Sequence, residues 1–193
     1  MKAMIPAVLV LGFAWSLQAV CERMGTSQFL VQHVSFNVFL LPTVIFILSA
    51  FVGFATGTSW GTMGILVPLT IDYAIGLAAE QHFDQVESAH LMVASIGAVL
   101  AGAVFGDHCS PISDTTIMSS MASGADHVDH VKTQMPYALT VAGIAILFGY
   151  LPAGLRVVDW LPSWIRALAE PLYLLPLGAT ACFLAVRFVG RRI

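Results

Sequence analysis

The sequence predicts an all-α membrane protein of about five to six transmembrane helices, at least one of them a discontinuous helix near Gly106–Thr116. Three observations predict it. Hydrophobic residues make up 58% of the 193 residues and charged residues only 10%, with a mean hydropathy of +0.86, far from a soluble domain. Apolar runs of spanning or near-spanning length recur at Met4–Val20, Phe36–Ala55, Thr62–Ala79, Leu91–Phe105, Pro136–Leu151 and Leu172–Val189. A helix needs about 20 such residues to cross a ~30 Å core, so most of the runs qualify with their flanks. One dense polar stretch then follows an apolar run directly: Gly-Asp-His-Cys-Ser-Pro-Ile-Ser-Asp-Thr-Thr, Gly106 to Thr116. A soluble, fully buried helical core would need polar helix faces, and these runs have almost none.

The first run ends at Cys21-Glu22-Arg23, and the mixed stretch Met24–Ser35 reads as a connecting loop. Leu17–Cys21 faintly resembles a lipoprotein cleavage site, but Val20 is bulky there and several spans follow, so the run is read as a span. The next two runs flank Thr56-Gly-Thr-Ser-Trp-Gly-Thr62, whose glycines and hydroxyls weaken a helix. That segment reads either as a tight turn or as an unwound stretch facing a cavity, and Pro68 should kink the helix after it. Glu80, Asp84 and Glu87 mark Glu80–Ser88 as a solvated acidic loop without chemistry.

The run Leu91–Phe105 is fifteen residues, about 22 Å of helix, and so should stop short of the far interface. Ser110-Pro111 looks like an N-cap with proline in the first helical position, which starts a second half-helix ending near Ser123-Gly124. Carbonyls at the end of the first half would carry a partial negative charge, which Asp107 deepens unless a cation fills the break. Asp114, in the first turn of the second half, sits favourably against the helix dipole. Charged groups at membrane depth cost roughly 2.5–3.5 kcal/mol on insertion scales, so such a cluster has a use, and holding a cation and moving protons is the most direct one.

Asp126-His-Val-Asp-His130 reads as a polar turn at the membrane surface, and its histidines suit proton entry or pH sensing. Pro152–Glu170, with Trp160 and Trp164, reads as an interfacial connection, and the last run with its arginine tail as an anchor. Cys21, Cys109 and Cys182 are dispersed and read as free thiols. The formal net charge of −3 includes only eight Lys and Arg, with no basic patch for nucleic acid. Arg187, Arg191 and Arg192 favour a cytoplasmic C-terminus, a bias weakened by Arg156 and Arg166. A zinc or iron site built from Asp107, His108, Cys109, Asp114 and the Asp126–His130 stretch is the enzyme alternative, without an established catalytic zinc spacing.

Gly57-Thr-Ser-Trp-Gly-Thr62, the Gly106–Thr116 stretch, Asp126–His130 and Gln134-Met-Pro-Tyr-Ala138 together resemble the NhaC-type Na⁺/H⁺ antiporter family, as does the first run with Trp15 and Ala19–Glu22. The resemblance covers nearly the whole chain and implies a multi-pass transporter of the bacterial cytoplasmic membrane, not an enzyme. It would exchange Na⁺ for H⁺ with no cofactor beyond the transported ions; some relatives also exchange malate and lactate. The chemistry of the motif, not the resemblance itself, makes Asp107 and Asp114 the candidates to alternate between cation and proton. Ser110, Ser113, Thr115 and Thr116 supply neutral oxygens, Thr58 and Ser59 contribute from the other break, and His108, His127 and His130 are candidate proton relays. Resident metal sites and catalytic residues are not expected.

The chain reads as a single integral-membrane domain over residues 1–193, corresponding to the C-terminal half of a family whose members run to more than twice its length. The length suggests either a fragment or truncated gene product without transport of its own, or a chain that assembles with a separately encoded N-terminal half. Both are favoured over an antiparallel homodimer, and the lipid bilayer is the remaining partner. The rival expectation is an inactive or partner-dependent half-transporter.

Overall fold

The computed structural model describes residues 37–156 and 169–189, with isolated positions 16, 19, 20, 23, 24 and 162. The run Met4–Val20, the loop Met24–Ser35, Trp160 and Trp164 therefore lie outside the described residues, apart from those isolated positions. Within them the chain is all-α: α1 (Leu41–Thr56, after a 3-10 turn Val38–Leu40), α2 (Ser59–Glu80), α3 (Gln85–Cys109), α4 (Asp114–Ala122), α5 (His127–Ala145), a π-turn (Ile146–Tyr150), α6 (Leu151–Leu155) and α7 (Pro171–Val189). Four stretches among the described residues are long and apolar enough to cross a membrane: Val38–Thr56, Ser59–Glu80, Gln85–Cys109 and His127–Leu155; Leu172–Arg187 is a shorter apolar helix. The chain is an all-α membrane protein.

Local chemistry explains the helix ends. Gly57 takes the left-handed conformation (φ 64°) that closes α1, and the Thr58 side chain accepts from Gly61 N at 3.3 Å to start α2. Within Thr56–Thr62, Gly57-Thr58 is therefore a two-residue turn between helices, the first of the segment's two predicted alternatives. The acidic loop is shorter than expected. Asp84 caps α3 and Glu87 reaches back to the Asp84 N–H, a reciprocal capping box that makes Gln85–Ser88 the first turn of the helix.

That start corrects the length expected for α3. Its 25 residues make about 37 Å of helix, enough to span the core by itself, so it is not a half-helix. The break after it is real but displaced. Ser110 and Ser113 are both extended (ψ 127° and 131°), and α4 starts at Asp114 with Ser113 as N-cap instead of at Pro111 with Ser110. Gly124 (φ 64°) closes α4 as expected, with Ala125 N bonded to Ser120 O at 3.0 Å. Asp126–His130 is no surface turn: Asp126 is the N-cap of α5, accepting from Val128 N and Asp129 N, and the histidines occupy its first turn.

Helices α1 and α3 run parallel at close approach. Ser49 Oγ donates to Val99 O at 2.7 Å, a Cβ on Gly53 would come 2.8 Å from Ala103 O, and one on Gly106 would run into the Ala50 carbonyl. Small residues at these crossings let the backbones meet, the usual basis of helix association in lipid. Helix α2 returns antiparallel, and Tyr73 and Leu77 join Leu41, Ile45, Phe46, Leu91, Ala98 and Val99 in the core. The α5 segment also runs antiparallel to α3: Gln134 reaches His108 O at one end, and Tyr150 OH donates to Gly97 O at 3.4 Å nearer the other. Tyr150 stacks on Phe46 with centroids 4.8 Å apart. An Arg156–Glu170 ion pair at 2.7 Å ties the end of α6 to the start of α7.

Candidate functional site

Because α1 and α3 are parallel, their two interruptions come to the same end of the bundle. A Cβ on Gly57 would lie 2.9 Å from Ile112 O, so the α1–α2 turn packs directly on the α3–α4 break. The sequence separates these segments by some fifty residues, and the fold sets them side by side.

Asp107 is the carboxylate this arrangement buries, with 7% of its surface exposed in the last turn of α3. Its one hydrogen bond among the described residues comes from Thr115 Oγ1, 3.4 Å from Oδ2, which is long for a hydroxyl donor. Thr115 has one proton and gives it to Asp107, so the 2.8 Å contact between Thr115 and Ser113 runs with Ser113 as donor. The result is a directed relay, Ser113 to Thr115 to Asp107. A carboxylate offers about four acceptor positions, and this one has a single distant donor, leaving oxygen valence for a cation.

The other hydroxyls are spent partly on the backbone. Ser110 and Ser113 are fully buried; Ser110 Oγ accepts from Ile112 N at 3.3 Å, and Ser113 Oγ from Thr116 N at 3.5 Å. Thr116 Oγ1 donates to His108 O at 3.4 Å. Thr58 and Ser59 are half-buried at the same end, with Thr58 capping α2. The expected bare carbonyls at the end of α3 are not bare: Asp107 O accepts from Ser110 N at 3.1 Å, and His108 O from Thr116 and Gln134.

Not every predicted residue converges on Asp107. Asp114 is exposed at the start of α4 with no hydrogen-bond partner among the described residues. His108 and His130 likewise have no side-chain hydrogen bond among them, whereas His127 bridges Ser120 and Pro111 O. Among the described residues no three His, Cys, Asp or Glu side chains come together in a metal-holding group, so the ligands of the zinc or iron alternative are not assembled. A separate cavity of about 640 Å³, between α3, α5 and α7, is lined mainly by apolar side chains such as Val93, Phe148 and Leu174. It contains none of the break's carboxylates or hydroxyls.

A profile of the Na⁺/H⁺ antiporter family matches residues 1–154. The chain belongs to the Na⁺/H⁺ antiporter family. An uncharacterized protein of Haemophilus influenzae is 44% identical over 155 residues, covering 79% of this chain and 28% of the relative. An uncharacterized Na⁺/H⁺ antiporter of the same organism is 37% identical over 115 residues, 58% of this chain and 22% of its own length. The malate-2H⁺/Na⁺-lactate antiporter of Bacillus subtilis is 34% identical over 140 residues, 67% of this chain and 27% of its own. The chain thus spans under a third of the length of these curated relatives. No solved structure matches it.

One residue at the break, and one carboxylate some distance from it, escaped the sequence reading. Gln134 sat inside a quoted motif, but its reach across to the end of α3 is a tertiary fact. Asp72 is half-buried within α2, about 20 Å from its start and about 12 Å from its end, with no partner among the described residues. The signal was present: a carboxylate inside the apolar run Thr62–Ala79 is conspicuous on its own.

Proposed function

We propose that this chain forms part of a secondary transporter that exchanges Na⁺ for H⁺ across the bacterial cytoplasmic membrane, with Asp107 as the ion-carrying carboxylate. The observation that carries the reading is Asp107 itself: a carboxylate buried to 7% exposure at a helix break, with one hydroxyl at 3.4 Å and unspent acceptor capacity. Hard oxygen donors suit a hard monovalent cation. With the carboxylate ionised, Na⁺ binds through it and through lone pairs on Ser110, Ser113, Thr115 and Thr116. A proton on the carboxylate cancels the charge that holds the ion, so the two compete for one group. Asp114, exposed in this chain, would join the site only when another wall closes over α4.

The wall is the reason for the word part. The curated relatives are more than three times the length that this chain matches, and transporters of this kind place their sites between two repeats. The opposing wall then comes from chain outside these 193 residues, whether a further segment, a separate half or a second copy. A coupled organic acid is the second reading, favoured by the printed name of the Bacillus subtilis relative, which includes malate and lactate.

The test is Na⁺-induced dissipation of a proton gradient in everted vesicles carrying the chain, with Asp107→Asn as control and with malate or lactate added in parallel. Dissipation lost in Asp107→Asn supports the assignment. Undiminished exchange by that variant overturns it.

A further inference from the structure

The cavity between α3, α5 and α7 joins a long apolar body to one charged end. Its volume is about 640 Å³. Phe148, Gly149 and Tyr150 of the π-turn line it, and single π-turns inside helices recur at functional sites. Gly97 of α3 lines it too, and a Cβ on Gly97 or Gly149 would meet nothing within 4 Å, so both positions leave room that a side chain would take. Along the α5–α6 wall the lining runs from Val141 to Arg156, about 22 Å of helix and more than half of a ~30 Å hydrocarbon core. This is room for a long, thin apolar body.

Arg156 marks the charged end. It directly follows the spanning stretch His127–Leu155, so that end lies at the membrane surface. The Arg156 side chain is 19% exposed, and its Nη2 donates to Glu170 Oε1 at 2.7 Å, its one acceptor among the described residues. A guanidinium has five N–H donors in a planar fork that suits phosphate, so most of this one's donors stay open. Glu170 is more exposed, and its Oε2 has no partner among the described residues. A phosphate donor and an ammonium acceptor therefore stand side by side at the mouth of an apolar groove. His90 lines the same end, and Glu87 lies one turn before it on α3. The two carboxylates outnumber the one guanidinium, which disfavours a headgroup of net negative charge.

We propose that this groove binds one glycerophospholipid whose headgroup carries both a phosphate and a primary ammonium. One acyl chain lies along Val93, Gly97, Phe148 and Leu174, the phosphate takes the open N–H groups of Arg156, and the ammonium donates to Glu170. Phosphatidylethanolamine has this chemistry. Phosphatidylglycerol brings a phosphate with no cation for Glu170, and the quaternary ammonium of phosphatidylcholine has no N–H to donate. The bound lipid would fill the seam between α7 and α3. None of these residues belongs to the break, so the lipid site stands or falls apart from the ion-site reading.

In the test, the full chain is purified in detergent, delipidated and offered an equimolar mixture of phosphatidylethanolamine, phosphatidylglycerol and phosphatidylcholine with identical acyl chains. Native mass spectrometry then counts the lipids retained. The expected result is one retained phosphatidylethanolamine, favoured roughly tenfold over each of the others, the ratio one charge-assisted hydrogen bond supports. Glu170→Gln should bring the ratio over phosphatidylcholine toward one, and Arg156→Gln should lower retention of all three lipids. Gly97→Leu replaces a helix-weakening residue, meets no neighbouring atom at its Cβ and touches neither charge; it should expel the lipid. Equal retention of the three lipids, preference for phosphatidylglycerol, or no lipid retained by the wild type overturns the proposal. Undiminished retention in Gly97→Leu overturns it as well. If Arg156→Gln fails to fold, the wild-type ratios and Gly97→Leu decide.

Discussion

Gly57 and Ile112 touch backbone to backbone: a Cβ added at Gly57 would sit 2.9 Å from the Ile112 carbonyl oxygen and 3.0 Å from its carbon. This contact sets the α1–α2 turn on the α3–α4 break, and it depends on glycine twice, for the space and for a φ of 64°. Gly57→Ala should therefore destabilise the fold by about 1–3 kcal/mol, combining left-handed strain with displacement of the break. Thermal denaturation in detergent checks this. A melting temperature equal to that of the wild type would mean that the two segments are not in register.

The relay into Asp107 predicts unequal outcomes at one position. Thr115→Ser keeps the hydroxyl that Asp107 accepts from, and Thr115→Val keeps the shape without it. In the vesicle assay the serine variant should retain its apparent Na⁺ affinity, and the valine variant should lose several-fold, in line with about 1 kcal/mol for one such bond. Equal affinities for the two would show that the hydroxyl is incidental.

Gln134 predicts a modest effect. Its amide and Thr116 Oγ1 share His108 O, so Gln134→Leu removes one of two donors. The expected loss is about 1 kcal/mol, read as a lower melting temperature. Gln134→Leu combined with Thr116→Val should cost more than the sum of the singles, since only the double variant leaves the carbonyl without a side-chain donor. Strict additivity would contradict a shared cap.

His82 predicts a gain. It holds a left-handed conformation (φ 57°) where α2 ends, with Phe83 N bonded to Ala78 O at 3.0 Å, a place where glycine is the usual residue. His82→Gly should raise stability by up to about 1 kcal/mol, the left-handed penalty less glycine's extra freedom when unfolded. A lower melting temperature would show that the imidazole contributes more than its backbone costs.

How much of this was legible in the sequence depends on the length scale of each feature. The bodies of α1 and α2 follow their apolar runs because hydropathy alone defines them. The start of α3 did not follow, since the Asp84–Glu87 capping box draws polar residues into a helix that hydropathy begins at Leu91. The N-cap of α4 was placed three residues early: Ser110-Pro111 and Ser113-Asp114 are both good starts by local rules. Ser110 instead turns its oxygen to Ile112 N. Asp107 was legible as a charge at the end of a span. The meeting of the two breaks, the reach of Gln134 and the bridging of His127 depend on parallel and antiparallel packing, which local patterns do not encode.

The measurement that bears most directly on the central claim is Na⁺-dependent proton movement in everted vesicles, wild type against Asp107→Asn, with insertion of both verified. The account predicts that the dissipation of the proton gradient by Na⁺ that the chain supports disappears in Asp107→Asn while the protein remains inserted. Wild-type exchange by that variant would contradict the account and move the ion site away from the break.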